Sequence, residues 1–270
     1  MTEIFQRNLF AGKNAVITGG GSGINLTIAH LFARHGAKLG LVGRRQSRLD
    51  AAVAEIVQQG GEAIGAATDV RDYDALTASL QKISGRLGPI DILVCGAAGN
   101  FPALATGMSA TGFKAVVDID LLGTFNACRA AFEHLRKPGA VIINISAPQS
   151  KLPMAYQSHV CAGKAGVDMI TRTLAVEWGP LGVRVNAISP GPIAETEGMK
   201  RLTPTPEMAD SLAGTLPLKR YGKKEEIAEL ALFLASDAAR YITGAVVPCD
   251  GGASLVGSSA WVQAMAGGVR

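Results

Sequence analysis

No apolar run in the 270-residue chain approaches the roughly 18 to 20 residues that span a bilayer, so no membrane anchor is expected. The opening MTEIFQRNLF has neither the basic start nor the apolar core of a signal peptide. The closing AGGVR forms no peroxisomal address, which makes a soluble cytoplasmic protein the expectation. Basic runs are missing too. With a net charge of +4 and no long cationic stretch, nucleic acid is not an expected partner, whereas a polyanionic small molecule suits the mild excess. The cysteines Cys95, Cys128, Cys161 and Cys249 lie far apart with no paired spacing. They read as buried small hydrophobes in a reducing compartment, not as a disulfide framework. His30, His35, His134 and His159 show no metal-ligand spacing with them, and no metal is expected.

What the chain does have is a rhythm. From residue 13 to about 190, short apolar runs alternate with longer stretches whose apolar residues recur at helical spacing. The strand candidates are NAVITG, KLGLVG, EAIGAAT, DILVCG, AVIINIS and VRVNAIS. Ile24, Ile28, Leu31 and Phe32 form the first helical face, with Gly36 suited to close it. Near-continuous apolar strands joined by helices imply an α/β fold, a doubly wound Rossmann-type parallel sheet with helices on both faces. No linker or change of composition divides residues 1–270, so one domain is expected. Residues 194–224 break the rhythm and read as a lid over the substrate side. A last helix, KEEIAELALFLAS, and a last strand, GAVVPCD, follow.

TGGGSGIN, residues 18–25, joins the first strand to the first helix. Here Gly19, Gly20, Gly21, Ser22, Gly23 and Ile24 can bring backbone N–H groups to a pyrophosphate at the positive end of a helix. Asn25 stands where the last glycine of such a turn is usual. That glycine serves close helix–strand packing, so Asn25 is expected to crowd the helix against the sheet while leaving the phosphate cradle working. Removing the crowding in Asn25→Gly should tighten cofactor binding or raise thermal stability. At the end of the second strand, an acidic residue would hold the ribose 2′-OH of NAD. Arg44, Arg45 and Arg48 stand there instead and suit the 2′-phosphate of NADP(H) through forked, charge-assisted hydrogen bonds.

These features resemble the short-chain dehydrogenase/reductase family, whose turn T-G-x-x-x-G-x-G is matched by Thr18, Gly19 and Gly23. TDV at 68–70, AAG at 97–99, Lys164, SPGPI at 189–193 and TGAVVPCDGG at 243–252 follow in the family's order. The resemblance implies that Asp69 and Val70 border the adenine. It implies further that Ala98, Gly99, Lys164, Pro190, Gly191, Ile193 and Thr196 serve the cofactor site.

Most of the family carries Y-x-x-x-K on one helix face, the lysine depressing the pKa of a tyrosine that acts as acid–base. Here Val160 stands four residues before Lys164, and Cys161, three before, is a packing residue. Tyr156 lies two helical turns away, about 12 Å if the helix extends that far, which Pro153 opposes. His159 is expected to point elsewhere. The 2,4-dienoyl-CoA reductases, in particular the peroxisomal type, share the missing tyrosine. The chain resembles them over DILVCGAAGNF, FKAVVDIDLLGTFN, AVEWGP and SPGPIAETEGMKRL. Asp120 then matches an aspartate where most of the family has asparagine, and Asp120 and Lys164 become the expected catalytic residues.

The chemistry of that branch needs no phenol beside the carbonyl. Hydride adds at C5, charge spreads to the thioester oxygen, and a positioned water can protonate C2 to give a 3-enoyl thioester. By the same resemblance Arg71 and Arg201 meet the CoA part of an acyl-CoA substrate, Asn100 and Phe101 border the acyl site, and Ser109, in a further matching segment, counts among the substrate contacts. Cys95 replaces the branch's asparagine, and residues 103–107 match poorly, so acyl preference is expected to differ. Two other functions stay open: another reductase of the family, such as a 3-oxoacyl thioester reductase, or a non-catalytic NADP(H)-binding protein. Family members pair long helices, and residues 109–135 and 158–179 suit that role, which makes a homotetramer the expectation.

Overall fold

The computed structural model describes residues 5–257. Its strands are β1 (Asn14–Thr18), β2 (Lys38–Gly43), β3 (Glu62–Ala67), β4 (Ile92–Cys95), β5 (Val141–Ile145), β6 (Arg184–Pro190) and β7 (Val246–Cys249). The seven form one sheet in the order β3-β2-β1-β4-β5-β6-β7, every neighbouring pair parallel. The sequence places a strand in each of these seven stretches. The chain winds outward from β1 through β2 to β3, then crosses back to β4 on the other side of β1. The loops leaving β1 and β4 therefore diverge and open a crevice at the carboxyl end of the sheet, the usual ligand position in open α/β sheets.

Alternation along each strand explains the near-continuous apolar runs, since both faces are buried. On β1, Ala15 and Ile17 join one core and Val16 the other; on β4, Ile92 and Val94 join the first, Leu93 and Cys95 the second. The first core is covered by α1 (Gly23–Arg34), α2 (Gln46–Gln58) and α9 (Lys224–Ala235), through Phe32, Ile56 and Leu232 among others. The second is covered by α3 (Tyr73–Leu87), α5 (Gly123–Ala131) and α6 (Ser158–Trp178), through Leu80, Cys128 and Trp178. Among the described residues, no helix is long and apolar enough to cross a membrane.

Two local features position the site. A short helix, α4 (Ala110–Val117), runs into α5 through a π-turn at Asp118–Leu122, an irregularity that often accompanies function. The 194–224 stretch holds α7 (Glu197–Leu202) and α8 (Pro206–Thr215), whose first turns are capped by the hydroxyls of Thr196 and Thr205. Met199, Leu202, Leu212 and Leu216 from this stretch pack with Met154, forming a third, smaller apolar cluster beside the crevice.

Candidate active site

The crevice is a cleft of about 360 Å³ lined by the glycine turn, the end of β2, the Thr68–Val70 loop and the residues after β4. Gly19 and Gly23 adopt φ of +71° and +59°, which only glycine takes without strain. Gly20 sits beneath the turn: a Cβ there would stand 2.9 Å from the Ile17 carbonyl oxygen. Gly19, Gly21, Ser22, Gly23 and Ile24 line the cleft itself. The first turn of α1 carries no acidic residue, and Ser22 makes no side-chain cap bond, so its amide dipoles are free for an anion.

Arg44, Arg45 and Arg48 line the same cleft, and among the described residues none forms an ion pair. Asp69 and Val70 line it opposite. Asp69 is engaged by Arg71, whose Nε and Nη2 donate to its two carboxylate oxygens at 3.0 and 2.6 Å. The neighbouring guanidinium holds the Asp69 carboxyl below its ordinary range. Arg71 is thus tied to the wall of this cleft by a partner that sequence reading did not foresee.

Asn25 behaves differently from its sequence expectation. Its Nδ2 donates to the carbonyl oxygen of Gly96 at 2.8 Å and reaches that of Gly19 at 3.4 Å. Residue 96 has no side chain, and the asparagine amide occupies the room a Cβ would fill. Asn25 therefore joins the turn to the end of β4 instead of crowding the helix against the sheet, which reverses the effect foreseen for Asn25→Gly. Thr18 reinforces the junction from below, its hydroxyl oxygen accepting from the amides of Gly96 and Ala97 at 3.1 and 3.4 Å.

Beyond the glycine turn, the π-turn and α6 bring a charged pair together. Asp120 and Lys164 are 1% and 6% exposed, and Lys164 Nζ lies 3.2 Å from Asp120 Oδ2. The ammonium also donates to the carbonyl oxygen of Ile145 at 2.9 Å, and Asp120 Oδ1 accepts from the amide of Gly99 at 2.7 Å. Asp118 turns away to pair with Lys114. Val160 is buried where the family's tyrosine would stand, and Tyr156 precedes α6 in a positive-φ conformation, packed beside Met154 and the α7–α8 cluster.

His159 does not point away from the site. Its ring is fully buried, 4.6 Å between centroids from Phe101, and neither ring nitrogen has a hydrogen-bond partner among the described residues. Burial pushes its pKa below the ordinary histidine value. Gln149 and Gln157, also missed in the sequence, are buried nearby and joined by a 2.7 Å hydrogen bond. Ser146 donates to Asp168 beneath α6. No periodic signal marks these polar residues, because each is explained only by a partner elsewhere in the fold.

The remaining candidates divide. Ala98 and Thr196 line the cleft, and the Thr196 hydroxyl also donates to the carbonyl of Ile193 at 2.9 Å. Pro190, Gly191 and Ile193 lie behind it: Ile193 is in the core, and a Cβ on Gly191 would stand 2.6 Å from the Cα of Asp250. Arg201 on α7 donates to the Asn100 carbonyl at 3.1 Å, connecting the 194–224 stretch to the segment that carries Phe101. Ser109 caps α4, accepting from the Gly112 amide at 3.0 Å.

A family model described as enoyl-(acyl carrier protein) reductase matches residues 19–254. The chain belongs to the short-chain dehydrogenase/reductase family. As a member of that family it is an oxidoreductase whose fold implies a nicotinamide cofactor. It is similar to a peroxisomal 2,4-dienoyl-CoA reductase of Arabidopsis thaliana, 42% identical over 262 residues, which covers 93% of this chain and 88% of the relative. The corresponding protein of Pongo abelii is 43% identical over 255 residues, covering 94% and 87%. Among solved structures, a gluconate 5-dehydrogenase of Burkholderia cenocepacia in complex with NADP and tartrate has a TM-score of 0.86 at 31% identity, covering 91% of this chain and 96% of that one.

Proposed function

We propose that this reductase converts 2,4-dienoyl-CoA thioesters to 3-enoyl-CoA thioesters with NADPH. The observation that carries the reading is the buried Asp120–Lys164 pair with a valine in the tyrosine's position. A ketone reductase needs an acid beside the carbonyl oxygen; a dienoyl reductase needs its proton at C2, remote from the hydride acceptor. The relatives named above support the substrate class.

The residues fit the cofactor. The amides of residues 19–24 would hold the pyrophosphate, Arg44, Arg45 and Arg48 the 2′-phosphate, and Asp69 and Val70 would border the adenine. Bound NADPH supplies the hydride. Lys164 donates to the Ile145 carbonyl and lies in ion-pair contact with Asp120, which leaves N–H groups for a ribose hydroxyl. Its charge also favours the anion that develops on the thioester. Asp120 Oδ2 lies beside Lys164 without an aligned hydrogen bond, so it can orient a water that gives a proton to C2, the hydroxide left behind taking a proton back from solvent. Phe101 and Asn100 would border the acyl chain, with Ser109 at its outer edge. Residues 194–224 would close over it as a lid, and Arg71 and Arg201 would meet the CoA phosphates.

The deciding experiment is a steady-state assay of NADPH oxidation with a 2,4-dienoyl-CoA beside a 3-oxoacyl-CoA. Turnover of the dienoyl thioester alone supports the reading; turnover of the 3-oxoacyl thioester alone, or of neither, overturns it. Replacing Arg44 and Arg45 with alanine should weaken NADPH binding by about ten- to a hundredfold and hardly alter NADH. Isothermal titration with both nucleotides checks this, and an equal loss for the two would remove the 2′-phosphate from the account.

A homotetramer is part of the proposal. It is supported by exposed apolar side chains on the helices suited to pairing, Phe125 on α5 and Met169 and Val176 on α6. Size-exclusion chromatography with light scattering tests it. A cytoplasmic location also remains a proposal, since the relatives named above are peroxisomal, and cell fractionation decides it.

A further inference from the structure

Asn25 and Gly96 stand 71 residues apart in the chain and interlock in the fold. A Cβ built on Gly96 would lie 2.1 Å from Asn25 Oδ1 and 2.5 Å from Nδ2, and one built on Gly19 would lie 2.9 Å from Nδ2. No real Cβ tolerates such a contact at residue 96, so the side chain at 25 and the lack of one at 96 depend on each other. Asn25 Oδ1 is buried without a hydrogen-bond partner among the described residues, so the amide is held by its donor side alone. The two segments it joins leave β1 and β4, the neighbouring strands between which the crevice opens, and both line the cleft.

We propose that Asn25 is a positioning residue that fastens the two walls of the cofactor cleft to each other before the cofactor arrives, with Gly96 as its required counterpart. The inference rests on reading the cleft as the nicotinamide-cofactor site. Four of the five residues at 19–23 are glycines, which lose the most conformational freedom when they are ordered. A loop that must be ordered on binding subtracts that entropy from affinity, and a side chain that holds it in place beforehand restores it. Most turns of this kind end in a glycine, which packs closely but fastens nothing. In this chain the glycine has moved across the cleft to residue 96, and a hydrogen-bonding amide has taken its position.

The test uses the full chain with Asn25→Gly, Asn25→Asp, Gly96→Ala and the Asn25→Gly/Gly96→Ala double variant. Amide hydrogen exchange in the cofactor-free protein, NADPH affinity by titration calorimetry, and the KM for NADPH against kcat are measured for each. Asn25→Gly should speed exchange at residues 19–25 and 95–99 and weaken NADPH binding about tenfold. KM for NADPH should rise by a similar factor, and kcat at saturating NADPH should fall by less. Asn25→Asp, equal in size but without the donor, should do no better than glycine. Gly96→Ala should be damaging by itself and cause little further loss once Asn25 is glycine, because the clash has gone.

Unchanged exchange with unchanged or tighter NADPH binding in Asn25→Gly would overturn the proposal. So would wild-type behaviour of Asn25→Asp, or independent, additive effects of the two glycine-site changes. If the wild-type protein binds neither NADPH nor NADH, the cofactor reading fails, and the exchange comparison alone decides whether Asn25 joins the two walls.

Discussion

Asp120→Ala is expected to lower kcat for a 2,4-dienoyl-CoA by about 10²- to 10⁴-fold, the usual worth of a positioned proton transfer, while NADPH still binds. The carboxylate stands between the Gly99 amide and the Lys164 ammonium, so it has a structural contact on one oxygen and a charged neighbour on the other. Asp120→Asn separates its two duties. The amide oxygen can still accept from Gly99, preserving the loop after β4, but the negative charge that aligns a proton-donating water is gone. If the asparagine variant keeps a normal melting temperature and loses turnover as the alanine variant does, the charge is what counts. Tyr156→Phe serves as the control and should keep most activity, since Tyr156 lies before α6 and packs with the α7–α8 cluster. A dead Tyr156→Phe beside an active Asp120→Ala would restore the tyrosine mechanism and sink this one.

Lys164→Ala should be the most damaging single change to the molecule, because it harms folding, binding and turnover together. It leaves the Asp120 carboxylate buried with no counter-ion, and breaking a buried pair in this way costs about 3–5 kcal/mol. NADPH affinity should fall with the lost ribose contact, and kcat with the lost positive charge near the thioester. Thermal melting and calorimetric NADPH titration measure the first two losses separately. The Asp120→Ala/Lys164→Ala pair should melt higher than Lys164→Ala alone, since it removes the stranded charge. If the double variant melts lower than either single one, the two side chains stabilise the fold independently and the pair is not what holds this site together.

The parts of this molecule legible in its sequence are those governed by local pattern. Ala15, Val16 and Ile17 declare a strand buried on both faces, and Gly19 and Gly23 declare a turn that needs positive φ. Arg44, Arg45 and Arg48 line the cleft at the end of β2, the place their position in the sequence implies. What the sequence hides is pairing across the fold. That Arg71 is tied to Asp69 is a matter of side-chain direction, and both orientations of Arg71 are compatible with its neighbours in the chain. Asn25 looks like an intruder in a glycine turn until Gly96 comes to lie beneath it. The offset of His159 from Lys164 says only that it leaves that helix face, whereas its burial against Phe101 depends on a loop 58 residues earlier. The resemblance to a family supplied Asp120, but not the π-turn that presents it.

That π-turn makes the helix a matter of counting. A π-turn holds one residue more than the α-turn it replaces, so side chains after Leu122 are rotated by about 100° from where an unbroken helix would carry them. Asp120 faces inward, Leu122 and Phe125 outward, and Ala127 and Cys128 inward again. Removing any one residue between 118 and 122 would slip the phase back, withdrawing the carboxylate from Lys164 and presenting a different stripe of α5 to its neighbours at one stroke. Substitutions along this stretch act one side chain at a time, but a change of length acts on the floor of the cleft and the outer face together.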